Sequence, residues 1–152
     1  MALDFEKYAI KGNEFVGLVA EDLEVPVDKA GRIVRSVLHA LRNRLVHEES
    51  FQLLAQLPMA MKGVYVDGWK FNKPFNRIRH LDDFLDEVKM EDAGMAGYDF
   101  GNQASAKVAV GAVFKALHFF VTEGEMNDIT GVMPGELKKF IAETIAGTDM
   151  IL

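Results

Sequence analysis

The sequence predicts an all-α protein, two pseudo-repeats of about four helices each packed into one compact helical domain, and three observations carry that prediction. Apolar residues recur at helical spacing along most of the chain. The composition, 49% apolar and 26% charged, suits a folded chain with enough material for one ordinary core. The pattern of Val37 to Tyr65, VLHALRNRLVHEESFQLLAQLPMAMKGVY, returns without a gap 76 positions later in Val113 to Ile141, VFKALHFFVTEGEMNDITGVMPGELKKFI. Val37, Ala40, Leu41 and Pro58 fall on Val113, Ala116, Leu117 and Pro134, and Glu49, Leu53, Leu57 and Met61 fall on Glu125, Ile129, Met133 and Leu137.

Each element has its own signal. Leu3 to Ile10 mixes Phe5, Tyr8 and Ile10 with charges and is expected as a short leading helix. Asn13, a good N-cap type, opens a helix to about residue 23 through Phe15, Leu18, Val19 and Leu23. Pro26 ends it, because its ring disfavours helical geometry in the residue before it. A longer helix over about 27–46 carries the stripe Ile33, Val34, Val37, Leu38, Leu41 and Leu45, with Arg32, Arg35, Arg42 and Arg44 off it. A short helix holds Phe51, Leu53, Leu54 and Leu57, and another follows Pro58 with Met61, Val64 and Tyr65, ending by Asp67-Gly68.

Residues 67–80, DGWKFNKPFNRIRH, lack a clean period and read as a connector. The helical pattern restarts at Leu81, Phe84, Leu85 and Val88, with Phe84 matching Phe15 at an offset of 69. The change of offset places seven extra residues within Glu91 to Gly101, EDAGMAGYDFG, expected as a flexible glycine-rich insertion. A long helix over about 102–121 follows. Thr122 and Glu125 then stand at capping-box spacing, in which hydroxyl and carboxylate each satisfy a free backbone N–H. Pro134 precedes a last helix with Leu137, Phe140, Ile141 and Ile145, expected to stop at Gly147 and leave the final five residues frayed. The chain thus reads as a single domain over 1–152, its repeats at about 13–66 and 81–146. A unit below ~80 residues makes a marginal core, so the halves are expected to share one about a pseudo-twofold relation.

No apolar run approaches the ~20 residues that cross a bilayer, and the start, MALDFEKYAI, lacks the pattern of a signal peptide, so the expected location is cytoplasmic. The absence of cysteine excludes disulfides, thiolate nucleophiles and cysteine-ligated metals. Residues 1–80 carry 12 Lys and Arg against 10 Asp and Glu, whereas residues 81–152 carry 5 against 13, a net +2 facing a net −8. The second half repels nucleic acid and anionic lipid, and the asymmetry can orient partners.

The long helix VLHALRNRL, the following AQLPMAMKGVYVDGW and the later TEGEMNDITGVMPGELKKF together resemble the DUF2267 family, small bacterial and archaeal helical proteins of uncharacterised function. The resemblance runs from about Asn13 to Ala146 and includes the tandem arrangement, with Gln56 to Trp69 its most specific part. The second copy has VMPGELKKFI where the first has LPMAMKGVYVDGW, and so lacks the aromatic exit. What the resemblance implies is a fold without an activity, and it brings no catalytic residues to this chain.

Candidate chemistry is sparse. His39 and His47 lie eight apart with no acid four residues away on the same helix. His47 beside Glu48 and Glu49, and His118 near Thr122 and Glu125, are two loose metal possibilities that the 76-residue matching does not support; solvated surface histidines, His80 included, are the expectation, with no metal and no cofactor. Asp82, Asp83, Asp86 and Glu87 lie opposite an apolar stripe and read as a solvated face. Ser36, Ser50 and Ser105 have no histidine at a suggestive spacing, and Gly94 to Gly101 lacks a phosphate-binding lysine. The methionines, Met59, Met61, Met90, Met126 and Met133 among them, sit at core spacing.

The connector is the richest segment. Trp69, Phe71 and Phe75 are interleaved with Lys70, Lys73, Arg77 and Arg79, a pattern that single-stranded nucleic acid binding uses through stacking and phosphate contacts. The same composition suits a strap that lays its rings over the seam between halves while its charges stay in water, the favoured reading. Arg32, Arg35, Arg42 and Arg44 add a basic face to the first half. The expected function is therefore a non-enzymatic protein-interaction or scaffold module. Its partner is a protein, a homodimer through the basic first half and acidic second half included, with no membrane. A nucleic-acid-binding module is the alternative, and a small-ligand binder or enzyme at the cleft between the halves is the third reading.

Overall fold

The computed structural model describes residues 3–72, 74 and 78–149. Among them are nine helices and no strand: α1 (Phe5–Leu23), α2 (Val27–Arg44), α3 (His47–Gln56), α4 (Met59–Val66), α5 (Leu81–Glu91), α6 (Ala96–Asp99), α7 (Gln103–Phe120), α8 (Glu123–Gly131) and α9 (Gly135–Asp149). The all-α expectation is met.

Three boundaries differ from the sequence reading. The leading helix and the one placed at Asn13 are a single helix, because Asp4 caps it by accepting from the Glu6 N–H at 3.1 Å and Asn13 lies mid-helix. The glycine-rich insertion is folded rather than loose: it contains α6, whose Asp99 takes both arms of Arg32 from α2, Nε to Oδ2 at 2.9 Å and Nη2 to Oδ1 at 3.0 Å. Lys29 of α2 also sits over the Tyr98 ring at 4.4 Å. The last helix runs through Gly147 to Asp149, and residues 150–152, where fraying is expected, lie outside the described residues.

Helix ends follow local chemistry. Glu24 closes α1 in the left-handed region, φ 55°, and the Glu24 and Val25 N–H groups return to Glu21 and Ala20 carbonyls, the double bond of a Schellman turn. Thr122 caps α8 through its hydroxyl, which accepts from the Glu125 N–H at 3.2 Å. The other half of the expected capping box is not made. The Thr122 N–H donates instead to Gln56 Oε1, the last residue of α3, at 2.7 Å, and the Glu125 carboxyl turns inward.

Packing centres on α2 and α7, which touch each other and bury most of their length. α1 lies against α2, α4 and α7; α5 lies against α2, α7 and α9; α3 meets α8; and α6 rests on α2. The core runs through all of these, with Phe15, Val37, Leu41, Phe84, Val113, Phe114 and Leu117 fully enclosed. Two glycines set close approaches. A Cβ on Gly12 of α1 would stand 2.7 Å from the Ala60 Cβ of α4, and one on Gly111 of α7 would press the Phe140 and Thr144 side chains of α9 at 3.4 Å.

Some residues assigned to one environment occupy another. His39 is buried and its Nε2–H donates to the Val64 carbonyl at 2.7 Å, so it is not a solvated histidine; burial holds its pKa below the ordinary value. Met61, Met126 and Met133 are core residues, but Met59 and Met90 point to solvent. Glu87 leaves the solvated face to join Glu91 in accepting from the Asn43 amide of α2, each at 2.8 Å.

Candidate functional site

The first turn after α4 folds the connector back on the bundle. Trp69 is half-buried against the core and Phe71 stacks on it, ring centroids 4.5 Å apart, while Phe71 keeps 54% of its surface exposed. His47 closes on both rings edge-on, 5.6 Å from Trp69 and 5.2 Å from Phe71. Phe51 of α3 lies 6.2 Å from Trp69 and is itself 55% exposed. Tyr65, fully buried beneath, meets Trp69 edge-on at 5.6 Å. Four rings thus share one surface, anchored through Trp69 and Tyr65. Aromatic pairs in this geometry add ~0.5–1.5 kcal/mol beyond burial, which holds the cluster in place without hiding its outer faces.

The basic residues of the sequence reading divide. Lys70 is exposed beside the rings. Arg35 pairs with Asp67 at 2.8 Å on the surface, and the guanidinium holds the Asp67 pKa below the ordinary carboxylate value. Arg42 is buried and donates to the Tyr65 and Asp67 carbonyls, both at 2.7 Å, closing the C-terminal end of α4. It fixes the turn that carries Trp69 instead of facing a partner. Arg79 is exposed, its backbone N–H donating to Asp83 at 3.4 Å. Lys73, Phe75 and Arg77 lie outside the described residues. Ile78, at the far end of the connector, packs on the core with Trp69, as a strap would, whereas Phe71 does not.

The structure also makes a convergent polar set that the sequence does not show. Glu49 is the third residue of α3, Glu125 the third of α8, and Asp128 lies one turn further along α8. One carboxylate oxygen from each lies within 4.8 Å of the other two. Glu125 is 5% exposed, Glu49 half-buried and Asp128 exposed. The Glu49 Oε1 and Glu125 Oε1 atoms are enclosed and met by no N–H or hydroxyl donor among the described residues. Burial, a hydrogen bond to Glu49 and the charges of Glu49 and Asp128 push the Glu125 pKa up to about 8. The neighbouring Ser50 Oγ and Tyr65 Oη are 2.6 Å apart, both buried, and desolvation drives the tyrosine pKa upward. The two histidine-centred metal possibilities each contribute their acid to this cluster. His47 instead faces the aromatic rings.

A second acid pair lies at the insertion. Asp92 and Asp99 are both buried; burial and a hydrogen bond to Asp99 raise the Asp92 pKa to about 6, while the Arg32 hydrogen bond helps to hold that of Asp99 down against its own desolvation. Asp99 is taken by Arg32 and Asp92 Oδ1 by the Met95 N–H at 3.1 Å, so the pair reads as the fastening of α6 to α2.

The family model of DUF2267, described as an uncharacterized conserved protein, matches residues 12–140. Comparison with curated proteins gives no match.

Proposed function

The chain belongs to the DUF2267 family, and we propose that it works there as a non-enzymatic helical interaction module whose docking surface is the ring cluster of His47, Phe51, Trp69 and Phe71. The observation that carries the reading is the exposure of Phe51 and Phe71, 55% and 54%, on rings fixed from below by Trp69 and Tyr65. Preorganised aromatic anchors lose little entropy on binding, which is why they dominate binding hot spots. Lys70, exposed between Trp69 and Phe71 in the chain, adds a positive charge, so the matching surface is acidic with apolar anchors. The strongly acidic residues 81–152 make a second copy of this chain the first such partner, in the cytoplasm.

The same reading takes the chain as two pseudo-repeats in one domain. What supports it is that matched positions share burial, as Val37 with Val113 and Leu53 with Ile129 do, and that α1 on α7 mirrors α5 on α2.

Sedimentation of the wild type and of the F51A/F71A double variant tests the module. The expected result is concentration-dependent dimerisation that weakens with added salt and is lost in the variant, which stays folded because the loss of its contacts to Trp69 costs only ~1–3 kcal/mol. A wild type that stays monomeric at every concentration and salt sinks the second-copy form. The exposed Phe71 face beside Lys70 also favours one further reading, the stacking of single-stranded nucleic acid. Trp69, the sole tryptophan, reports on it directly: quenching by an oligonucleotide that salt reverses is the required result.

A further inference from the structure

We propose that Glu49, Glu125 and Asp128 form a binding site for one hard divalent cation, of the Mg2+, Mn2+ or Ca2+ class, at the contact of α3 and α8. The three oxygens lie no further than 4.8 Å from one another, which is the span of ligands around a single ion at ~2.0–2.6 Å from each. A set of carboxylates with no imidazole or thiolate selects cations that prefer oxygen, and water completes the shell on the open side, where Asp128 is exposed.

Proximity of acids alone does not make a site; the placement of Glu125 does. The residue is 95% removed from solvent, its enclosed Oε1 meets no N–H or hydroxyl and has only a proton shared with Glu49 to satisfy it, and among the described residues no lysine or arginine pairs with any of the three acids. A buried carboxylate ordinarily obtains a cationic or N–H partner. Glu125 also had an alternative. At the third position of α8 its side chain could cap the Thr122 N–H, yet Gln56 fills that role and leaves Glu125 aimed at Glu49. A cation between α3 and α8 supplies the missing partner to both enclosed oxygens at once.

Titration calorimetry with Mn2+, Mg2+ and Ca2+ chlorides in turn, at about pH 8 so that the ion displaces at most part of one proton from the ligands, tests the site on the full chain. The expected result is saturable binding of one ion per chain, weakened about tenfold or more in both E125Q and D128N and unchanged in D86N, which alters an exposed acid of α5. The wild-type melting temperature should rise with the bound ion, and that of D128N should not, a comparison that needs no assumption about E125Q. Absence of saturable binding by all three ions up to millimolar concentration overturns the proposal. So does binding that E125Q and D128N leave intact, which marks diffuse attraction to the acidic second half.

Discussion

Replacing Gly12 with alanine tests the closeness of α1 to α4. The added methyl would stand 2.7 Å from the Ala60 Cβ. Two carbons prefer ~3.5–4.0 Å, so the helices must part by about 1 Å, and neither atom is the end of a flexible side chain that could swing aside. Overpacking of this kind costs ~1–3 kcal/mol. Against it stands the gain of ~1 kcal/mol from removing glycine inside a helix. The net expectation for G12A is a loss of up to about 2 kcal/mol. The control lies in the same helix: nothing is within 4 Å of a Cβ on Gly17, so G17A should gain about 0.5–1 kcal/mol. Urea denaturation at constant m-value reads both changes. Adding A60G to G12A should relieve the clash, giving a coupling of about 1–3 kcal/mol in the double-mutant cycle. If G12A stabilises as much as G17A, or the coupling stays within ~0.5 kcal/mol, the close approach is not what the glycine is for.

Two further expectations concern charge and backbone. Glu125, with its pKa up to about 8 against an ordinary value of 4.5, keeps its proton in the folded chain and loses it in the unfolded one between those pH values. The unfolded state then binds fewer protons, so the contribution of Glu125 to stability is greatest below pH 4.5 and falls as pH rises toward 8, by a few kcal/mol in order of magnitude. Glu49 and Asp128 face the group, and Ser50 and Tyr65 lie beside Glu49. In chelated buffer E125Q should flatten that decline and be more stable than the wild type near pH 8; parallel pH profiles for the two proteins would refute the assignment. E24G should raise the melting temperature, since it removes roughly 1 kcal/mol of left-handed strain at φ 55°, whereas E24A should not.

The apolar skeleton was legible because burial follows helical period: spacing points Phe15, Val37, Leu41 and Phe84 inward, the match to Val37 and Leu41 points Val113 and Leu117 inward, and all six are enclosed. Polar residues that turn inward were not. Arg42 and His39 lie off the apolar stripe of α2, yet they spend their N–H groups on carbonyls of α4 and of Asp67 just past it, a tertiary demand that no local pattern encodes. Asn13 misled because a good capping residue is also tolerated mid-helix, and the weaker-looking Asp4 had the free N–H groups to cap. The 76-residue matching paired Glu49 with Glu125 but could not say that they meet. A match in pattern says nothing of distance, and these two acids meet because the helices carrying them do, α3 against α8. Thr122 and Glu125 likewise kept their capping spacing while the partner of one N–H came from 66 residues away.

That distant partner ties the timing of the two halves together. The first turn of α8 is stoppered by Gln56, and Arg44 at the end of α2 donates to the Val132 carbonyl just past the other end of α8, at 2.9 Å. Each end of α8 therefore takes one bond from a side chain made earlier in synthesis, and α1 and α5 each lie on the long helix encoded in the opposite half. A ribosome releasing this chain presents an N-terminal segment with exposed seams and no way to close them until the rest emerges. Expressed apart, the halves should each be soluble only in the presence of the other, and the bundle should assemble in one late step.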